Sequence, residues 1–106
     1  MAKYLFHGSY NVEGLKGLLK EGGTGRREAT EQLAKSLGGT LEAYYFAFGE
    51  NDFYVIVDLP DNVSSCAAAL MGNASGAINV KTVVLLTPEE MDLAVKKTVD
   101  YRAPGH

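Results

Sequence analysis

Two central stretches, Leu41–Phe48 and Phe53–Leu59, alternate with the period of a β-strand yet are apolar on both alternating faces. In the first, Leu41, Ala43, Tyr45 and Ala47 fall on one side and Tyr44, Phe46 and Phe48 on the other. In the second, Phe53, Val55, Val57 and Leu59 oppose Tyr54 and Ile56. Only Gly49–Asp52 separates them, which predicts an antiparallel hairpin. An antiparallel sheet with one wetted face should alternate apolar with polar, so this pair predicts cover on both sides.

The flanking pattern supplies the rest of the fold. Lys3–Tyr10 reads as a first strand, with Tyr4, Phe6, Gly8 and Tyr10 on one side and Leu5, His7 and Ser9 on the other. Asn11 is placed to cap a helix carrying Val12, Leu15, Leu18 and Leu19. Gly22-Gly23-Thr24-Gly25 predicts a loop there, because helical glycine costs roughly 1 kcal/mol against alanine. A second helical piece resumes with Ala29, Leu33 and Leu37 and stops at Gly38-Gly39, with Glu31 and Lys35 spaced for a surface pair. After Pro60-Asp61 a helix is predicted with Val63, Cys66, Ala67 and Leu70 as its buried stripe and Gly72 as its end. A strand over Ile78–Leu86 follows. Thr87-Pro88-Glu89-Glu90 then combines a cap, an N1 proline and a capping box, ahead of a last helix with Met91, Ala94, Val95 and Val99.

The order β-α-β-β-α-β plus a terminal helix is ferredoxin-like, α+β, with two helices on one face of a four-stranded sheet. The second face is left over. Some six large apolar side chains there would forgo on the order of 10 kcal/mol if left wet. The expected cover is another copy of the chain, a homodimer or higher even oligomer, with the last helix bracing the partner. Residues 1–100 form one expected domain and 101–106 a flexible tail.

Composition narrows the function classes. Ten basic against thirteen acidic side chains give a net charge of −3 with no basic run, which argues against nucleic acid as a partner. No apolar stretch reaches the length of a membrane span and no signal peptide opens the sequence, so a cytoplasmic protein is expected. One cysteine excludes an internal disulfide, and two histidines exclude a three-histidine zinc site within one chain. No P-loop is present and no cofactor or metal is expected.

Leu37-Gly38-Gly39-Thr40-Leu41, Gly49-Glu50-Asn51-Asp52-Phe53 and Val55-Ile56-Val57-Asp58-Leu59-Pro60-Asp61 resemble the GYD domain family, small bacterial and archaeal proteins with a Gly-Tyr-Asp signature. Tyr4, Tyr10, Gly14 and Leu15 match its opening strand and helix start. The resemblance spans most of residues 3–92 and implies a dimeric α+β barrel. Gly49 and Asp52 keep the signature, while Asn51 replaces its tyrosine and leaves Tyr54 or Tyr44 to supply any aromatic hydroxyl.

Five residues are candidate ligand contacts: His7, Arg26, Tyr44, Tyr54 and Asp52. Arg26 shares the core-facing stripe of Ala29, Leu33 and Leu37, and a core-facing guanidinium needs an acceptor or an anion; Arg27 instead faces Glu31. The expected pocket unites His7 with Arg26; the alternative sets His7 among the tyrosines and leaves Arg26 to Asp52 or Asp58. His7 is also the candidate catalytic base, since imidazole titrates near neutral pH. Tyr10, Tyr44, Tyr45 and Tyr54 suit either a small aromatic ligand or an interface. Asp52 and Glu50 sit at the expected barrel mouth. As turn residues, Gly49 and Asn51 tolerate positive φ and Asp52 bonds the backbone. Cys66 reads as core. Three functions remain open: a binder of a small aromatic or anionic molecule, a cofactor-free oxygenase or isomerase, and a non-catalytic assembly module.

Overall fold

In the computed structural model, which describes residues 1–106, the chain runs β1 (Ala2–Tyr10), α1 (Val12–Ser36), β2 (Thr40–Phe46), β3 (Phe53–Leu59), α2 (Asn62–Ala74), β4 (Ile78–Leu85) and α3 (Pro88–Val95). The strands make one antiparallel sheet in the order β2-β3-β1-β4, consistent with the expected ferredoxin-like α+β fold.

Register decides the faces. Tyr4, Phe6 and Gly8 of β1 lie opposite Val57, Val55 and Phe53 of β3, and these side chains share the face covered by the helices. Tyr4, Phe6, Phe53, Val55, Val57 and Leu59, with Ala68 from α2, form the core. Gly8 has no alternative here, since a Cβ would run into the Asn79 carbonyl of β4. Leu5, His7, Tyr54 and Ile56 point to the opposite, helix-free face.

The edge strand β2 departs from simple alternation. A bulge between Leu41 and Ala43 places Leu41 opposite Val57 but Ala43 opposite Ile56, so the two residues no longer share a face. Leu41, Tyr44 and Phe46 therefore turn toward the helices, and Ala43 and Tyr45 toward the open side. The strand ends at Phe46, two residues earlier than the expected boundary, and Phe48 is fully exposed. The connection to β3 is accordingly longer than Gly49–Asp52, and neither Gly49 nor Asn51 adopts positive φ. Asp52 holds this corner: its backbone N–H donates to the Gly8 carbonyl at 2.7 Å, and its Oδ2 accepts the Tyr10 N–H at 2.9 Å.

In α1 the glycine-rich segment breaks the helix at one residue. Gly22 alone is non-helical, at φ 81° and ψ 169°, while Gly23–Gly25 continue as helix, so no loop forms between two pieces. The halves differ in what they bury. C-terminal to the kink, Ala34 is buried and Arg26, Thr30 and Leu37 are partly so. N-terminal to it, Val12, Leu15 and Leu19 are exposed despite their helical spacing. The cap at Asn11 and the stop at Gly38-Gly39 form as expected: Gly39 and Gly38 donate to the Ala34 and Lys35 carbonyls in a Schellman arrangement, with Gly38 at φ 81°. Arg27 reaches Glu31 at 3.8 Å, in place of the Glu31–Lys35 pair.

The stripe expected on α2 is displaced. Ser65 and Ala68 face the core, Gly72 packs against Ile78, and Val63, Cys66 and Leu70 are exposed. Cys66 is thus a surface thiol. Small residues occupy the inner face because α2 lies close on the sheet, which periodicity among uniformly apolar residues cannot reveal. The helix also passes Gly72 and ends before Gly76, at φ 75°. The capping box of α3 is complete, with Thr87 Oγ1 accepting the Glu90 N–H and Glu90 Oε1 accepting the Thr87 N–H. None of its residues is buried within one chain. No helix is long and apolar enough to cross a membrane.

Candidate functional site

Between the sheet and the kinked α1 lies an apolar cavity of about 110 Å³. Phe6, Phe53 and Val55 form its floor, Leu33 and Ala68 its helix walls, and Ile78 one end. Arg26, Tyr10, Tyr44 and Thr30 supply its polar groups.

Three elements, α1, β1 and β2, hold these polar groups. The kink at Gly22 sets the direction of the following helix, whose inner face carries Arg26 and, one turn on, Thr30. Tyr10 ends β1 and is fixed by the Asp52 carboxylate on its backbone. Tyr44 reaches the cavity because the β2 bulge turns it toward the helices. The two tyrosine hydroxyls lie 3.4 Å apart. Tyr10 packs on Phe53 at 5.4 Å and Tyr44 on Phe46 at 5.0 Å between ring centroids.

The electrostatics follow from this crowding. Arg26 Nη1 lies 3.5 Å from Glu21 Oε1, a long contact with a partly exposed carboxylate, while its Nε is buried without a hydrogen-bond partner. Burial works against the guanidinium charge, but Tyr44, Glu21 and Tyr10 outweigh it and raise its pKa above the ordinary value. Burial, together with Tyr44, also pushes the Tyr10 hydroxyl well above the usual tyrosine range, so that hydroxyl serves as a neutral hydrogen-bonding group. The cavity thus combines one permanent cation, two phenols and an apolar floor.

His7 is not part of it. It projects from the opposite face of the sheet, so the expected pocket uniting His7 with Arg26 does not form. Nor does Arg26 pair with Asp52 or Asp58: its carboxylate is Glu21, on the same helix. Asp58 lies on the open face, where Lys3 Nζ bridges it, at 2.9 Å, to Glu42. His7 instead neighbours Tyr54, with ring centroids 6.1 Å apart and planes inclined by 13°, and its Nδ1 lies 3.2 Å from Asn51 Oδ1. The five candidates therefore divide: Arg26 and Tyr44 meet in the cavity, His7 and Tyr54 meet on the open face, and Asp52 secures the backbone between them. No group of three or more His, Cys, Asp or Glu side chains is arranged to hold a metal ion.

The model of the GYD domain matches residues 4–95. The chain belongs to the GYD domain family. No curated protein and no solved structure matches it. The matched region of this GYD protein includes β1 from Tyr4 onward, the other three strands, α1, α2 and the cavity between them. Thr30, absent from the sequence-based candidates, was marked by its position four residues after Arg26 on the same helix face. Ile78 and Gly72 had no such mark, because their place at the cavity depends on how α2 and β4 dock.

Proposed function

We propose that this GYD protein binds a small aromatic carboxylate in its helix-side cavity and works as a homodimer paired through its open sheet face. Arg26 carries the first part: a guanidinium with an unpartnered buried Nε faces an otherwise apolar space flanked by two phenols. A carboxylate is the anion whose planar geometry suits a guanidinium fork, and the apolar floor suits a ring. At about 110 Å³ the cavity is smaller than an engineered one of about 150 Å³ that takes up benzene, so it admits one ring at most.

Charge-assisted hydrogen bonds contribute roughly 1.5–3 kcal/mol, so Arg26→Met should weaken binding of benzoate-type acids by roughly 10- to 150-fold. Tyr44→Phe should cause a smaller loss. Calorimetric titration of wild type and both variants, with circular dichroism as the check on folding, tests this. Equal affinity in folded Arg26→Met protein refutes the reading.

Support for pairing comes from the sheet. With α1 and α2 on one side, Leu5, Tyr45, Tyr54, Ile56, Val83 and Leu85 share the uncovered side. Burying them contributes on the order of 10 kcal/mol, against an association cost of roughly 4–15 kcal/mol. The two are comparable, so one added charge should dissociate the pair. Ile56→Glu should give a folded monomer by light scattering. A wild-type protein that is already monomeric at micromolar concentration rules pairing out.

A further inference from the structure

One row of side chains crosses the open face with a member from every strand: Tyr45 of β2, Tyr54 of β3, His7 of β1 and Lys81 of β4. Directly opposed residues on antiparallel strands bring their Cβ atoms to roughly 4.5–5.5 Å, so these four are immediate neighbours in sequence across the sheet. The adjoining row is apolar, with Ile56, Leu5 and Val83 in register.

Asn51, from the connection ahead of β3, ties the row together. Its Oδ1 lies 3.2 Å from His7 Nδ1, and its Nδ2 donates to the Tyr54 hydroxyl oxygen, also at 3.2 Å. This arrangement assigns the protons. A carboxamide oxygen only accepts, so His7 Nδ1 carries the hydrogen and Nε2 keeps its lone pair. The Tyr54 hydroxyl, already accepting from Asn51, retains its own hydrogen for another partner. The row therefore presents an acceptor at His7 and a donor at Tyr54.

The charge around His7 is one-sided. Lys81 faces it from β4 and takes part in no ion pair, while Tyr54 and Tyr45 face it from β3 and β2 without charge. Farther along the face, Lys3 is already held by Glu42 and Asp58. Lys81 is thus an unneutralised cation beside a base.

We propose that this row is a binding and proton-accepting site for a planar phenol or enol. The ligand O–H proton moves to His7 Nε2: the O–H bond breaks, an N–H bond forms, and the electron pair stays on the ligand oxygen. The phenolate or enolate faces Lys81, and the imidazolium keeps its Nδ1–H bond to Asn51. Tyr54 and Tyr45 offer aromatic surface to the ligand ring. All of these groups belong to one chain and are independent of the Arg26 cavity; they lie on the face proposed to pair, so in the dimer the ligand is held between the two sheets.

4-Nitrophenol is a direct probe, because its phenolate absorbs visible light and its phenol does not. With protein in excess, at a pH below the free probe's midpoint, the phenolate-to-phenol ratio should rise roughly tenfold on binding, a shift of about one pKa unit. His7→Gln and Lys81→Met should each remove the rise. Lys81 is exposed, so its substitution leaves the fold intact. Arg26→Met should preserve the rise, which separates this site from the cavity. Two-bond 1H–15N spectra should show His7 as the Nδ1–H tautomer in wild type and a mixture of tautomers in Asn51→Leu. Light scattering on the same samples reports pairing separately. No rise in wild type, a rise that survives in His7→Gln or Lys81→Met or is lost in Arg26→Met, or an Nε2–H tautomer overturns the proposal.

Discussion

Replacing Gly22 by alanine isolates the backbone strain at the kink that orients Arg26. At φ 81° and ψ 169° Gly22 occupies a region that residues with a Cβ essentially do not enter. An added methyl would meet no atom within 4 Å, so the expected cost is purely conformational, about 1–3 kcal/mol. Gly17, on the same helix, is the control. Its Cβ position is equally empty but its backbone is helical, so Gly17→Ala should stabilise by about 1 kcal/mol. Urea titration gives both changes directly. Thermal midpoints should separate in the same sense, by roughly 4–8 °C per kcal/mol in a domain near this size. Opposite signs for the two substitutions are the essential result. If Gly22→Ala also stabilises, the helix straightens without penalty and the kink does not govern where Arg26 points.

Other expectations follow from single contacts. Cys66, exposed on α2, should react fully with a thiol reagent in the native protein, and Cys66→Ser should change stability by no more than about 0.5 kcal/mol. Tyr4 is almost completely buried and its hydroxyl donates to Asn62 Oδ1 at 2.7 Å, so Tyr4→Phe should cost about 0.5–1.5 kcal/mol in urea titration. Asp61 caps α2 by accepting the Ser64 N–H at 2.8 Å, and hydrogen bonds from the Ser64 backbone and side chain hold its carboxyl below the ordinary value of 3.8. A depressed carboxyl pKa adds stability that is complete above the unfolded-state value and is lost as pH falls through the folded one. Asp61→Asn should keep the cap but show a shallower loss of stability in acid melts.

How far each residue could be read depended on whether its determinants were local. The capping box at Thr87–Glu90, the Asn11 cap and the Gly38 stop were legible because each is a bond within one turn of chain. The order of elements was legible as well, since strand and helix periods differ and short connections leave few topologies. Arg26 was legible as an inward cation, because helix geometry alone puts it on the stripe of Ala29, Leu33 and Leu37.

The division of the site was not legible, for a physical reason. Side chains alternate along a strand with period two, so Leu5 and His7 could be grouped but not assigned to the helix side or the open side. Pairing with β3 decides that, by placing His7 beside Tyr54 and across the sheet from Arg26. One extra residue in β2 likewise reverses the alternation after Leu41 and sends Tyr44 into the cavity. On α2, where nearly every position is small or apolar, only docking against the sheet selects Ser65 and Ala68 over Cys66 and Leu70. The sequence by itself determined which elements form and where the short-range bonds close them. Tertiary structure alone decided which face each side chain joins, because register and docking are set by contacts between residues far apart in the chain.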